Sequence, residues 1–85
     1  MTRNELLARL TEILVSEFEL EAQSITPQAR LVEDLDLDSI DGVSIAVRVE
    51  AQFGVVLSDE EIAAMTTVGD VLDALEKRLG GASAA

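Results

Sequence analysis

Asp34-Leu35-Asp36-Leu37-Asp38-Ser39-Ile40-Asp41-Gly42 is the stretch on which the reading of this chain turns. It sets one hydroxyl, Ser39, among carboxylates where a loop becomes a helix. Asp38 is a favoured N-cap residue, and Asp41 stands at the third position beyond it, where a negative charge suits the helix dipole. Downstream, Val43, Ala46, Val47 and Phe53 recur at helical spacing and are read as the inward stripe of this helix, with Gly54 as its terminator. Upstream, Pro27 cannot occupy a helix interior. That segment is therefore a loop, pinned to the core by Ile25, Leu31, Leu35 and Leu37.

The same signals repeat outward in both directions. Thr2 with Glu5 is a capping box, in which each side chain bonds a free backbone N–H at the helix start. Leu6, Leu10, Ile13 and Leu14 carry the helix that follows to about Phe18. Ser58 with Glu61 opens a short third helix through Met65. Thr67 with Asp70 opens a fourth that carries Val68, Val71, Leu72, Leu75 and Leu79 and ends at Gly80. No strand pattern of useful length and no internal repeat is present. The fold class is all-α: a small four-helix bundle with a long first loop and a short third helix. Residues 1–79 form one domain, and residues 80–85 have little to bury and are expected to fray. A start methionine and a polar tail around a single domain lead us to expect a free-standing chain.

With 85 residues, 48% of them hydrophobic, the chain can form a core of modest stability and is not disordered by composition. It has no run of about eighteen apolar residues and no basic start followed by an apolar stretch, hence neither a membrane span nor a signal peptide is expected. Cysteine is absent, which excludes disulfides and thiolate metal sites. We expect a cytoplasmic monomer. The net charge is -11 and unevenly spread. Between Leu31 and Glu76 twelve acidic residues face one base, Arg48. Phosphates would be repelled by such a surface, so nucleic acid is a poor partner; a basic protein patch is a good one.

Three chemistries compete for the carboxylate cluster. Asp34-x-Asp36-x-Asp38 begins like an EF-hand, but the sixth place holds Ser39 in place of glycine and the twelfth holds Ile45 in place of a bidentate glutamate. Catalysis by Ser39 would need an adjacent base. The chain has no histidine, and its only lysine, Lys77, lies near the far end. The third possibility is covalent attachment. A phosphate esterified to Ser39 would meet the positive end of the helix. The neighbouring aspartates would oppose it, so a modifying enzyme would bring a metal ion or basic side chains, and those aspartates would be its docking handle. Ser39 could equally be no more than part of the helix cap, and spacing does not choose between the two.

Leu35-x-Leu37-Asp38-Ser39-Ile40-Asp41 resembles the phosphopantetheine attachment motif of acyl carrier proteins. The resemblance extends co-linearly over Leu31 to Leu75, through Phe53, the Ser58-Asp59-Glu60-Glu61 opening and Met65-Thr66-Thr67-Val68 with Asp70. It implies that a phosphopantetheinyl transferase, using magnesium, moves 4′-phosphopantetheine from coenzyme A to Ser39. The thiol of that arm would carry acyl groups as thioesters, so the missing cysteine ceases to matter. The chain itself would be no enzyme, with no catalytic residue and no metal of its own. Ketosynthases, acyltransferases and other acyl-processing enzymes of fatty-acid or polyketide type would read it through basic patches.

By the same resemblance, Asp38, Ile40, Asp41, Glu50, Asp59 and Glu60 are the partner-recognition positions. Ala46, Val49, Ile62 and Met65 are the acyl-pocket positions, with Ile62 making that pocket shallow or openable only by cargo. Five departures point to a specialised pathway: Ile40 where leucine is usual, Ser44 and Ala51 where glutamate is usual, Arg48 within the second helix, and Gly42 just inside its start, at a cost of roughly 1 kcal/mol relative to alanine. An aminoacyl or peptidyl carrier is the alternative, although Leu37-Asp38-Ser39 differs from the Gly-Gly-x-Ser motif of that family. An unmodified acidic docking domain is another.

Overall fold

The computed structural model describes residues 2–79, so the expected fraying of residues 80–85 lies outside the described residues. The chain forms α1 (Arg3–Phe18), α2 (Ser39–Phe53), α3 (Asp59–Ala64) and α4 (Val68–Arg78), with a single 3₁₀ turn at Ala22–Ser24 in the long first loop. All four α-helices begin with a capping box: Thr2 with Glu5, Asp38 with Asp41, Ser58 with Glu61, and Thr67 with Asp70. Each box satisfies two of the N–H groups that a helix start leaves without an intrahelical partner. α2 ends at Gly54, whose φ of 71° is the left-handed conformation that lacks a Cβ penalty only in glycine.

The core is built from Leu6, Leu10 and Leu14 of α1, Ile45 and Val49 of α2, and Val68, Val71, Leu72 and Leu75 of α4. α1 packs on both α2 and α4, and α3 packs on α2. None of the α3 residues is buried; Ile62 and the following Met65 lean against the core from outside.

The long loop is held by backbone bonds to the start of α4. Leu31 N–H donates to Thr66 O at 2.8 Å, Val68 N–H to Ala29 O at 2.9 Å, and Gly69 N–H to Pro27 O at 2.9 Å. Arg30 and Thr67 thereby form an isolated antiparallel bridge. The approach at Gly69 is close: a Cβ there would lie 3.0 Å from Pro27 O. Further along, Asp36 takes a φ of 59°, turning outward while Leu35 and Leu37 on either side stay buried.

The expected inward stripe of α2 needs correction. Val43 and Val47 are 53% and 61% exposed, and the buried residues are Ile45 and Val49. Ala46 and Phe53, the other two expected members, are half-buried against the core. The two pairs, 43/47 and 45/49, have the same i, i+4 spacing but lie two residues apart, roughly 200° around the helix. Periodicity alone fits either pair. The choice is made by the capped start at Asp38 together with Leu35 and Leu37, which seat the first turn against the core.

Candidate functional site

Ser39 is the first residue of α2 and is exposed. Its neighbours do the capping. Asp38 Oδ1 accepts from Asp41 N–H at 3.0 Å, and Asp41 Oδ2 accepts from Asp38 N–H at 3.0 Å. Among the described residues the Ser39 hydroxyl takes part in no side-chain hydrogen bond of the cap. A helix start that two carboxylates already close leaves this hydroxyl free for other chemistry.

Beside it lies a cavity of ≈ 350 Å³ between α2, α3 and the end of the long loop. Buried Leu31, Leu37 and Ile45 form its floor; Val32, Asp38, Ser39 and Val43 stand around it; Asp59, Ile62, Ala63 and Met65 supply the α3 wall. Gly42 also lines it, and a Cβ there would lie 3.3 Å from Ile62 Cγ2. Of the four positions expected to line an acyl pocket, Ile62 and Met65 are at the cavity. Ala46 and Val49 are not among its lining residues: Val49 is wholly buried in the core and Ala46 packs against it. Gly42, Val43 and Ile45, one turn earlier on α2, occupy that wall instead. This volume sits at the small end of the ~300–1,000 Å³ usual for ligand pockets.

The charges around the site are one-sided, and four of the arginines are engaged with acids of their own. Arg30 pairs with Glu33 and Asp34 in its own loop, and Arg3 reaches from α1 to Asp73 and Glu76 of α4. Arg48, a positive charge in the middle of α2, is paired with Glu17 of α1. Arg78 pairs with Glu61. Asp36, Asp38, Asp41, Glu50, Asp59 and Glu60 have no ion-pair partner among the described residues. Asp38, Glu50, Asp59 and Glu60 are exposed, and Asp41 is half-buried at the cap. The structure adds an apolar feature to this acidic face. Ile40, 74% exposed, continues into Val43 and Val47 as a stripe at i, i+3 and i+7 along the outer side of α2. The two valines, expected inward from their spacing, join Ile40 on the exposed side. The missing signal was the second apolar pair, Ile45 and Val49, which needed the same inward position.

Three capping carboxylates titrate abnormally low. Asp70 is depressed by hydrogen bonds from the Thr66 and Thr67 backbone N–H groups, at 2.7 and 3.0 Å. Glu5 and Glu61 are lowered chiefly by the backbone N–H groups of Thr2 and Ser58. Among the described residues, no group of three acidic, histidine or cysteine side chains could hold a metal ion, and no helix is long and apolar enough to cross a membrane.

A four-helix bundle with an exposed serine at a helix start, beside an apolar cavity and amid unpaired acids, is the form of a phosphopantetheine-bearing carrier. The comparisons agree. The model of the phosphopantetheine attachment site family matches residues 8–75. Acyl carrier protein 2 of Ralstonia nicotianae is 39% identical over 79 residues, covering 93% of this chain and 98% of that protein. A meromycolate extension acyl carrier protein of Mycolicibacterium smegmatis is 41% identical over 76 residues, covering 89% of this chain and 77% of its own. The crystal structure of an acyl carrier protein from Thermotoga maritima superimposes with a TM-score of 0.83 at 28% identity, over 93% of this chain and 92% of that one. This chain belongs to the acyl carrier protein family. It is a carrier of fatty-acid or polyketide-type biosynthesis whose cofactor is 4′-phosphopantetheine. The thiol of that arm, when attached, would supply the thioester chemistry.

Proposed function

We propose that Ser39 is the attachment residue, and that the chain shuttles acyl groups between enzymes without catalysing a step itself. The observation that carries this is the free Ser39 hydroxyl, released from capping by Asp38 and Asp41 and standing at the mouth of an apolar cavity. A phosphodiester on Ser39 lies at the start of a fifteen-residue helix, whose dipole offsets part of its repulsion by the aspartates. An acyl chain on the arm can turn back between α2 and α3, against Ile62 and Met65. With ≈ 350 Å³ available there, short chains fit within the cavity and longer ones project outward.

Partner enzymes read the face around Ser39. Asp38, Asp41, Glu50, Asp59 and Glu60 steer a basic patch toward it, and Ile40, Val43 and Val47 supply the apolar contact once it docks. The partners are a phosphopantetheinyl transferase, a ketosynthase, an acyltransferase and other acyl-processing enzymes, met in the cytoplasm by a monomeric carrier. A specialised pathway is favoured by Ser44 and Ala51, uncharged positions that leave α2 with less negative charge. Several relatives are named for meromycolate extension.

The test is direct. Incubated with coenzyme A, magnesium and a broad-range transferase, the chain gains one arm by intact mass. No gain contradicts the reading. Binding of the loaded chain to ketosynthases at two salt concentrations then tests the pathway: a specialised ketosynthase binds more tightly than a housekeeping one, and equal binding defeats that part.

A further inference from the structure

One wall of the cavity differs from the others in how it is held. Leu31, Leu37 and Ile45 are core residues and cannot move without disturbing α1 and α4. The α3 wall, by contrast, is a six-residue helix with no buried residue. Isolated helices shorter than about 12–15 residues are marginal in water, so α3 depends on what ties it down. Its capping box is one tie. Arg78, near the end of α4, is another: its Nη1 donates to Val56 O at 2.8 Å and its Nη2 donates to Glu61 Oε1. That same Glu61 oxygen accepts from Ser58 N–H at 3.0 Å. One guanidinium therefore joins the loop before α3 to the side chain that closes the first turn of α3, and anchors both to a helix of the core. The rigid fork of a guanidinium is pre-organised for such a two-acceptor contact.

We infer that Arg78 is a positioning residue for cargo: through Val56 and Glu61 it holds the α3 wall of the cavity and sets the longest acyl chain the cavity admits. This rests on the proposed carrier reading of the cavity. With the fork in place, Ile62 and Met65 stay against α2 and a long chain is turned out to solvent. With the fork removed, α3 swings or frays more readily and the same cavity accepts a longer chain.

The test compares Arg78→Met, which removes both bonds, Arg78→Lys, which keeps the charge but not the fork, and Arg3→Met, which breaks two other ion pairs of α4, to Asp73 and Glu76. In the unmodified protein, amide exchange is followed at Ile62 and Met65, whose N–H groups bond Ser58 O and Ile62 O, against Leu72 and Leu75 of α4. Arg78→Met should speed exchange at the α3 amides by about tenfold with α4 unchanged. Arg78→Lys should fall between, and Arg3→Met should leave α3 at the wild-type rate. The protein is then loaded at Ser39 with acyl chains of rising length, and Ile62 and Met65 shifts are recorded. In wild type these stop growing at a limiting length, and in Arg78→Met that limit moves to longer chains. Exchange within twofold of wild type, an unmoved limit, or a loaded wild type that perturbs neither residue overturns the inference. Failure of wild-type Ser39 to take the arm at all overturns the carrier reading instead, and the exchange data still judge the clamp.

Discussion

Truncating Val49 and Val47 in turn separates the two faces of α2. Val49 is 0% exposed and touches the core; Val47, two residues earlier, is 61% exposed. Val49→Ala removes two carbons from a buried site. At about 0.8 kcal/mol per buried methylene, the transfer term is roughly 1.6 kcal/mol. Incomplete collapse of the space left behind adds a cavity term, so the expected loss is about 2–3 kcal/mol. A domain of this size has a total stability of roughly 4–13 kcal/mol. The melting temperature should therefore fall by about 10–20 °C, using 4–8 °C per kcal/mol. Val47→Ala should stay within about 0.5 kcal/mol of wild type, as surface changes do. Urea and thermal unfolding followed by circular dichroism measure both variants. Partner binding should reverse the order, with Val47→Ala weakening capture by a ketosynthase and Val49→Ala leaving it unchanged below its melting range. Equal destabilisation by the two variants would refute the register of α2, and with it the outward stripe.

Three further outcomes follow from other parts of the fold. Gly69→Ala should destabilise by about 1–3 kcal/mol despite the better helix propensity of alanine, because the new Cβ would press on Pro27 O; a raised melting temperature would contradict the close approach. Asp70 has a lowered pKa, so its capping contribution is present above the unfolded carboxylate range and is lost as pH falls through the folded-state value. The stability gap between wild type and Asp70→Asn should therefore be full at pH 7 and close on acidification; a gap independent of pH would be the contrary result. Salt or magnesium should raise the melting temperature by screening the unpaired acids around α2 and α3, and a flat response would mean that they do not repel appreciably.

What could be read from the sequence followed from local chemistry. All four helix starts were legible because a capping box joins residues three apart, and such a pair keeps its meaning wherever the helix packs. The place of Ser39 at a helix start closed by Asp38 and Asp41 was legible for the same reason. Long-range choices were not. Val43/Val47 and Ile45/Val49 compete for one inward face with identical spacing, and only contact with the rest of the core decides. Arg48 read as a positive charge on the recognition helix, yet it is paired with Glu17, thirty-one residues away. Gly69 carries no local signature, since its constraint is the carbonyl of Pro27. The cavity lining shifted with the same geometry, from Ala46 and Val49 to Gly42, Val43 and Ile45.

At the start of α2 labour is divided: the aspartates cap and the serine stays free. A single variant, Ser39→Ala, tests it when its unfolding and its acceptance of the phosphopantetheine arm are measured on the same sample, beside Asp38→Ala. Ser39→Ala should keep a stability within about 0.5 kcal/mol of wild type and lose the arm completely, while Asp38→Ala should lose about 1 kcal/mol. An arm still accepted by Ser39→Ala, or a loss of stability matching that of Asp38→Ala, would contradict it.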